Sequence, residues 1–224
     1  MGGRVLRMPL TFVGTLDRSA VTAAVDQLTE LVGSAEVADA WEQESTLPGL
    51  TVGGLTRHLV SQPECAVEFL TTPGPHDAPV MTLVGHYERV DWLHAPVDAP
   101  ENTSIRDDFN QMASAGHTES VQVLAWSHKQ LAAAIAVAGP TTYVPWQGCA
   151  LPMDDFLVVR LMESVVHADD LACSVGVAAP RFASEALEPV LALLAALAAR
   201  RRGQDAVLRA LSRHERLVGS VSAF

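Results

Sequence analysis

The chain has 224 residues, of which 49% are hydrophobic and 18% charged, so it can bury a large core and is not expected to be disordered. The formal net charge of −11 argues against a nucleic-acid backbone or an anionic membrane surface as the main partner. The N-terminus does not resemble a signal peptide, and no apolar run is long enough to span a bilayer. The three cysteines form no CxxC pair and indicate no disulfide framework. Together these features predict a cytoplasmic protein.

Two amphipathic helices are predicted in the first third of the chain. The first runs from about Asp17 to Val32, because apolar residues recur there at helical spacing behind a suitable N-cap, Asp17. The second begins after a turn, with Thr51 as its cap. Pro63 is expected to kink or restart this helix near Gln62, since proline removes one backbone hydrogen bond.

The middle of the chain is rich in proline, and residues 72–102 are predicted to form a long irregular crossover. A short helix around Met81–Val90 fits within that crossover. A third long helix is predicted from about Ile105 to Val137, and Gly116 can break it. The segment GPTTYVPWQGCALP, residues 139–152, is predicted to be a loop.

The fourth long helix is predicted from about Asp154, where acidic residues suit the helix dipole, to Gly176, a natural residue at a helix C-terminus. Four long helices with one long crossover predict a mainly α protein whose residues 1–178 form a four-helix bundle. Residues 179–224 are predicted to be a small α/β appendage. It would contain a fifth helix, Ser184–Arg202, and two short strands, AVLRALSR and LVGSVSAF, in a hairpin.

Four polar side chains form a line on the otherwise apolar fourth helix. Arg160, Glu163, His167 and Asp170 are separated by three, four and three residues, which places them on one narrow face. A solvated face does not explain the line, because its flanks are apolar, so these groups need polar partners, opposite charges or a metal. Glu163 and His167 can direct a carboxylate oxygen and an imidazole nitrogen to one point, as zinc ligands do. His58, near the apolar face of the second helix, is the candidate third ligand of an open, catalytic type of site.

Spacing alone leaves a second interpretation open. Many helices carry a Glu and a His four residues apart by chance, and Arg160 with Glu163 could form an ion pair without any metal. A single histidine on an apolar face is usually a hydrogen-bonded core residue. Among the other histidines, only His86 and His117 are considered as residues of a pocket rim.

Two segments are similar to family motifs. LPGLTVGGLTRHLV resembles the motif pgWtvrDlvaHl, and LPMDDFLVVRLMESVVHADDLACSVG resembles RvvElvvHadDLa.a.G. Both motifs belong to the family typified by the N-terminal domain of mycothiol-dependent maleylpyruvate isomerase, within the wider DinB-like metal-binding bundles. The resemblance covers nearly the whole chain. Leu50 and Gly54 replace the Trp and Asp of the first motif, and these changes are expected to alter packing and not ligation.

The resemblance implies a DinB-like four-helix bundle that holds one divalent metal, usually zinc, through His58, Glu163 and His167. Asp170 matches the aspartate that follows the histidine. We expect Asp170 and Arg160 to contact the ligands and orient them without binding the metal themselves. The implied partners are a small-molecule substrate and a low-molecular-weight thiol such as mycothiol, with no nucleic acid and no membrane. The chain is expected to be a monomer or a homodimer.

Three functions stay open at the level of the sequence. The leading one is a thiol-dependent isomerase or S-transferase-like enzyme, in which a metal-bound thiol or water reacts and Arg57 or Arg160 binds an anionic substrate. Either arginine could equally be a structural ion-pair partner. The alternatives are a metal-dependent hydrolase or lyase and a non-catalytic metal-binding bundle. Isomerisation of maleylpyruvate itself is not expected, because the family's isomerase has a larger C-terminal domain that contributes to its active site.

Overall fold

The computed structural model describes residues 10–89, 99–216 and 219–224. Its helices and strands follow in chain order: α1 (Arg18–Val32), α2 (Ala35–Asp39), α3 (Val52–Thr71), α4 (Leu83–Tyr87), α5 (Pro100–Ala113), α6 (His117–Val137), β1 (Thr141–Val144), β2 (Cys149–Pro152), α7 (Met153–Val175), α8 (Ser184–Arg202) and α9 (Gln204–Ser212). Single 3-10 turns cover Pro145–Gln147 and His214–Arg216. The prediction of a mainly α fold with a small appendage is confirmed.

Four long helices, α1, α3, α6 and α7, form the bundle. Both α1 and α3 pack against α6 and against α7, so the two pairs alternate around one core. Leu55 and Leu59 of α3 and Leu157 and Leu161 of α7 are almost completely buried in that core. Burying each such side chain stabilises the fold by about 1.5–3 kcal/mol, which fixes how α3 faces α7.

Local capping determines where α1 and α3 begin. The side chain of Asp17 accepts a hydrogen bond from the backbone N–H of Ser19, and that of Thr51 accepts one from Gly54. Both residues are the predicted caps. The expected restart at Pro63 does not occur, since α3 continues to Thr71. Packing of α3 against three other helices offsets the backbone hydrogen bond that proline cannot make.

The third predicted helix is two helices, α5 and α6, separated at Gly116. This glycine has a φ of 92°, a backbone conformation that favours glycine, so the chain can turn there. The short helix predicted within the crossover is α4, which is shorter than expected. Val90, its predicted end, lies outside the described residues, as do the other residues of the crossover from 91 to 98.

The segment 139–152 was predicted to be a loop, and this prediction is wrong. β1 and β2 form an antiparallel hairpin in which Thr141 pairs with Pro152 and Val144 with Cys149. Gly148, in the left-handed conformation at φ 60°, closes the turn. Strands of only four residues, with prolines next to them or at their end, give too little alternation for a strand to be recognised. The hairpin leads directly into α7, so it is fixed to the start of that helix.

Two aspartates in the first turn of α7 do more than suit the helix dipole. Asp155 accepts a hydrogen bond of 2.7 Å from the backbone N–H of Phe12, and Asp154 forms an ion pair of 2.7 Å with Arg18. These contacts attach the first residue of α1 and the segment before it to the start of α7. The helix ends as predicted, with Gly176 at φ 72° as its C-cap.

The predicted strand AVLRALSR is wrong, because this segment lies in α9. Its apolar residues lie three and four apart, as on a helix; Val207 is buried while Leu208 and Leu211 are exposed. The second predicted strand is not formed at 219–224, and residues 217 and 218 lie outside the described part. The appendage is therefore helical where the structure describes it. No helix among the described residues combines the length and apolarity needed to cross a membrane.

Candidate metal centre

Three potential metal ligands from two helices meet between α3 and α7. The ligand atoms of His58, Glu163 and His167 all lie within 4.8 Å of one another. The carboxylate oxygen Oε2 of Glu163 is 3.2 Å from Nε2 of His167 and 4.0 Å from Nε2 of His58. In the part of the chain that the structure describes, no other group of three His, Cys, Asp or Glu side chains converges in this way.

The surroundings keep Glu163 ionised. Its side chain is 15% exposed, and burial alone would raise the pKa of its carboxyl group. The hydrogen bond with His167 and the nearby positive charges outweigh burial and lower this pKa to about 2. A buried carboxylate that stays charged provides the negative ligand that a divalent cation requires.

The two histidines differ in protonation although their rings are in contact, with centroids 4.5 Å apart. Burial, assisted by the charge of His167, lowers the pKa of His58 to about 3, so His58 is neutral at neutral pH. Burial also disfavours the charged form of His167, but hydrogen bonds with Asp170 and Glu163 raise its pKa to about 9. Without a metal, His167 is thus a cation between two carboxylates.

Asp170 fixes the orientation of the His167 ring. Its Oδ2 lies 3.0 Å from Nδ1 of His167, one helical turn away. A carboxylate at Nδ1 keeps the proton on that nitrogen, so Nε2 is left to face Glu163 and His58. Phe109 of α5, which the sequence did not single out, packs edge-on against the His58 ring at 4.3 Å between centroids.

The three residues fit a divalent metal ion of the zinc type. Ligand atoms of a tetrahedral zinc site, each 2.0–2.2 Å from the ion, lie about 3.4 Å apart. Oε2 of Glu163 lies 3.2 Å and 4.0 Å from the two histidine Nε2 atoms, and all three ligand atoms lie within 4.8 Å of one another. Two imidazoles and one carboxylate also form a common donor set for catalytic zinc. The Nδ1 atom of His58 is buried without a hydrogen-bond partner among the described residues.

Arg160 does not form the ion pair with Glu163 that the spacing allowed. Its Nη1 instead donates a hydrogen bond of 2.7 Å to Oε1 of Gln62 on α3. The guanidinium group also lies against the rings of Trp146 and Phe156, at 5.6 Å and 5.9 Å from their centroids. Among the described residues, no ion pair joins Arg160 to a carboxylate within 4.0 Å.

Arg57, the other candidate cation, has an acidic partner. Its Nη2 lies 2.6 Å from Oε2 of Glu64, and its side chain is largely buried. This pair spans two turns of α3 and neutralises the charge of Arg57 locally. The structure therefore distinguishes the two arginines that the sequence left equivalent.

His86 and Tyr87 of α4 lie close to the centre; the sequence suggested His86 as a residue of a pocket rim and did not single out Tyr87. Both side chains are buried, at 3% and 2% exposed. Burial, assisted by the charge of Arg160, lowers the pKa of His86 to about 4. Burial and then the charge of Glu163 raise the pKa of Tyr87 well above its usual range. No periodic pattern marks these residues, because α4 is a single short turn of helix inside the crossover.

His117, the other predicted rim residue, has a structural environment. Its Nε2 lies 2.6 Å from the backbone oxygen of Val32, and its ring contacts Trp41 edge-on. These contacts join the start of α6 to the end of α1. The contacts explain the histidine without a role in binding.

A protein-family model described as the mycothiol maleylpyruvate isomerase N-terminal domain matches residues 21–172. The matched range contains His58, Glu163 and His167 and nearly all of the four bundle helices. Comparison with curated proteins and with solved structures gives no significant match. Because the matching range covers more than half of the sequence, the chain belongs to the mycothiol maleylpyruvate isomerase N-terminal domain family.

Proposed function

We propose that the protein is a metal-dependent enzyme that uses a low-molecular-weight thiol, mycothiol, against a small electrophilic molecule. One divalent ion, zinc, binds to His58, Glu163 and His167. The observation that carries this proposal is the convergence of their three ligand atoms within 4.8 Å. Membership of a mycothiol-associated family supports the choice of thiol.

The proposed roles follow from the environment of each ligand. Glu163 is ionised and offsets part of the charge of the cation, while His58 is already neutral and offers Nε2 as a ligand. Asp170 retains the proton on Nδ1 of His167, so that Nε2 of that ring can bind the ion. When bound, the ion would supply the positive charge that favours the thiolate form of a thiol.

The apolar surroundings support the same chemistry. The ligands stand between the buried faces of α3 and α7, and Phe109 packs against one of them. Limited water at this place strengthens the attraction between a cation and a thiolate. The three ligand side chains nevertheless retain 15–20% exposure, so a small thiol has access to them.

A second candidate function, a metal-dependent hydrolase or lyase, is favoured by the donor set alone. Two histidines and one glutamate also bind the zinc of hydrolases, in which the open position holds water. Dependence of turnover on added thiol separates the two candidates. The third possibility, a non-catalytic metal-binding bundle, predicts metal binding without turnover.

Metal analysis of the purified protein tests the ligand assignment. We expect one divalent ion per chain in the wild type and loss of the ion in His58→Ala and His167→Ala. His128→Ala is a matched control, since His128 faces Asp26 at 3.7 Å on the bundle surface. Full metal content in both ligand variants would show that the assignment is wrong.

Cobalt substitution tests the use of a thiol. Mycothiol added to the cobalt protein should produce a thiolate-to-metal charge-transfer band in the near ultraviolet. Absence of the band at saturating mycothiol, together with a metal-dependent hydrolytic activity, would favour the second candidate.

A further inference from the structure

One edge of the Arg160 guanidinium group is left without a partner. Nη1 is bound by Gln62, but among the described residues no acceptor lies within hydrogen-bonding distance of Nε or Nη2. These two nitrogens share one side of the planar group and form the fork that pairs with both oxygens of a carboxylate. The cation is half-buried, and Nε is shielded from water.

A half-buried arginine normally has an acidic partner, as Arg57 has in Glu64. Arg160 is held instead by a neutral amide and by the faces of Trp146 and Phe156. These contacts orient the guanidinium group, but no carboxylate among the described residues forms an ion pair with it, although its charge acts on Glu163 from a greater distance. Such an arrangement is suited to an anion that arrives from outside the protein.

A further buried polar atom without a partner lies near Arg160. The Tyr87 hydroxyl has no hydrogen-bond partner among the described residues and is close enough to feel the charge of Arg160, whereas the side chains of His86 and Gln147 interact with each other. Gln147 and Trp146 belong to the turn between β1 and β2, and Trp146 is 57% exposed although it covers Arg160. We expect a ligand of the half-buried cation to approach from the side of the hairpin, past the exposed ring of Trp146.

We propose that Arg160 binds a carboxylate group of the substrate through its Nε and Nη2 atoms, and that Gln62 is the positioning residue for this contact. The inference rests on the proposed function, because it places the carboxylate one helical turn from Glu163 and hence beside the metal centre. It defines the substrate as a small carboxylic acid with an electrophilic carbon. Arg57, which is paired with Glu64, takes no part.

Two thiols that differ only in charge test the contact. The probes are 3-mercaptopropionate and 3-mercaptopropanol, titrated into the cobalt-loaded protein and followed by the charge-transfer band. We expect the carboxylate to bind about 10-fold more tightly in the wild type, which is a typical effect for a hydrogen bond with a charged group. In Arg160→Gln this preference should disappear, while the affinity for the neutral thiol and the metal content stay unchanged.

Two further variants make the outcome specific. Arg160→Lys retains the charge without the fork and should keep only part of the preference, which also covers the case that Arg160→Gln does not fold. Arg57→Gln should keep the full preference. Equal affinity of the wild type for both thiols, or loss of the preference in Arg57→Gln alone, would overturn the proposal.

A measurement on the metal-free protein separates this inference from the function on which it rests. The Nε–H resonance of Arg160 should shift on addition of 3-mercaptopropionate and not on addition of 3-mercaptopropanol. If no thiol gives a cobalt band while this resonance shifts, the thiol function fails and the carboxylate site stands. If the band forms with both thiols and the resonance does not respond to the carboxylate, the carboxylate site fails.

Discussion

Gln62 on α3 accepts a hydrogen bond of 2.7 Å from Arg160 on α7, across the interface that holds the candidate metal ligands. The same amide donates from Nε2 to the backbone oxygen of His58, at 3.0 Å. The Gln62 side chain therefore connects the turn of α3 that carries His58 to the guanidinium group of Arg160 on α7. The link is almost completely buried, since Gln62 is 3% exposed.

Replacing Gln62 by leucine should destabilise the protein by about 1–3 kcal/mol, because a half-buried charged donor loses its acceptor. Urea denaturation measures the change in the free energy of unfolding. Gln122→Leu, at an exposed position of α6, is the control and should stay within about 0.5 kcal/mol. Equal stability of the two variants would show that the hydrogen bond with Arg160 makes no net contribution to the free energy of unfolding. Metal content should not change in either.

Asp170→Asn should weaken zinc binding by about 10–100-fold, since a carboxylate that orients a ligating histidine typically has an effect of this size. The loss should be smaller than in His167→Ala, which removes a ligand. Competition with a chelator gives the affinities. Asp169→Asn, a substitution at the exposed neighbouring residue, is the matched control. Complete loss of metal in Asp170→Asn together with full retention in Glu163→Gln would show that Asp170 is the ligand and that Glu163 is not.

Zinc binding should release close to one proton per ion at neutral pH. In the metal-free protein His167 is protonated, with a pKa of about 9, whereas Glu163 and His58 are already deprotonated. The apparent affinity should therefore rise about 10-fold per pH unit and level off above the pKa of His167. Calorimetry in buffers of different ionisation enthalpy counts the protons. Release of two protons, or of none, would contradict the assigned protonation states.

The free energy of unfolding of the metal-free protein should decrease both above and below the ordinary histidine pKa of 6.5, for a different histidine in each direction. His167 has a raised pKa of about 9, so the stability that it contributes is complete below pH 6.5 and is lost as the pH rises through 9. His58 has a lowered pKa of about 3, so its contribution is complete above pH 6.5 and is lost as the pH falls toward 3.

Denaturation as a function of pH tests both signs. His167→Ala should lack the loss on the alkaline side, and His58→Ala should lack the loss on the acid side. Gln122→Leu, which removes no titratable group from the surface, should reproduce the wild-type profile. Saturating zinc should remove the alkaline loss, because zinc takes the place of the proton on His167. A wild-type profile in both ligand variants would mean that other groups determine the pH dependence.

The helical period explains why part of the centre could be predicted from the sequence. Glu163, His167 and Asp170 lie on one helix, where spacing alone determines that their side chains meet. His58 could be predicted as the third ligand because it lies near the apolar face of its helix and matches the family motif. The capping residues Asp17 and Thr51 were also predictable, because a cap acts over three residues of chain.

Contacts between distant elements could not be predicted in the same way. The partner of Arg160 is an amide 98 residues earlier in the chain, and the sequence suggested the nearer Glu163. His86 and Tyr87 lie in the crossover, where no period indicates which side chains are buried. The hairpin before α7 and the helical form of α9 were missed because each segment is too short for its pattern to decide between strand, helix and loop.

The hairpin between α6 and α7 is a place where the sequence can change near Arg160 without a change in the bundle. Its exposed turn carries Trp146 over Arg160, whereas the metal ligands belong to α3 and α7. Insertions and exchanges in this turn can change what surrounds the cation without moving a ligand, since turns tolerate changes in length that packed helices do not. If Arg160 binds a substrate carboxylate as proposed, exchanges in this turn should change which acid is accepted and leave metal binding unchanged.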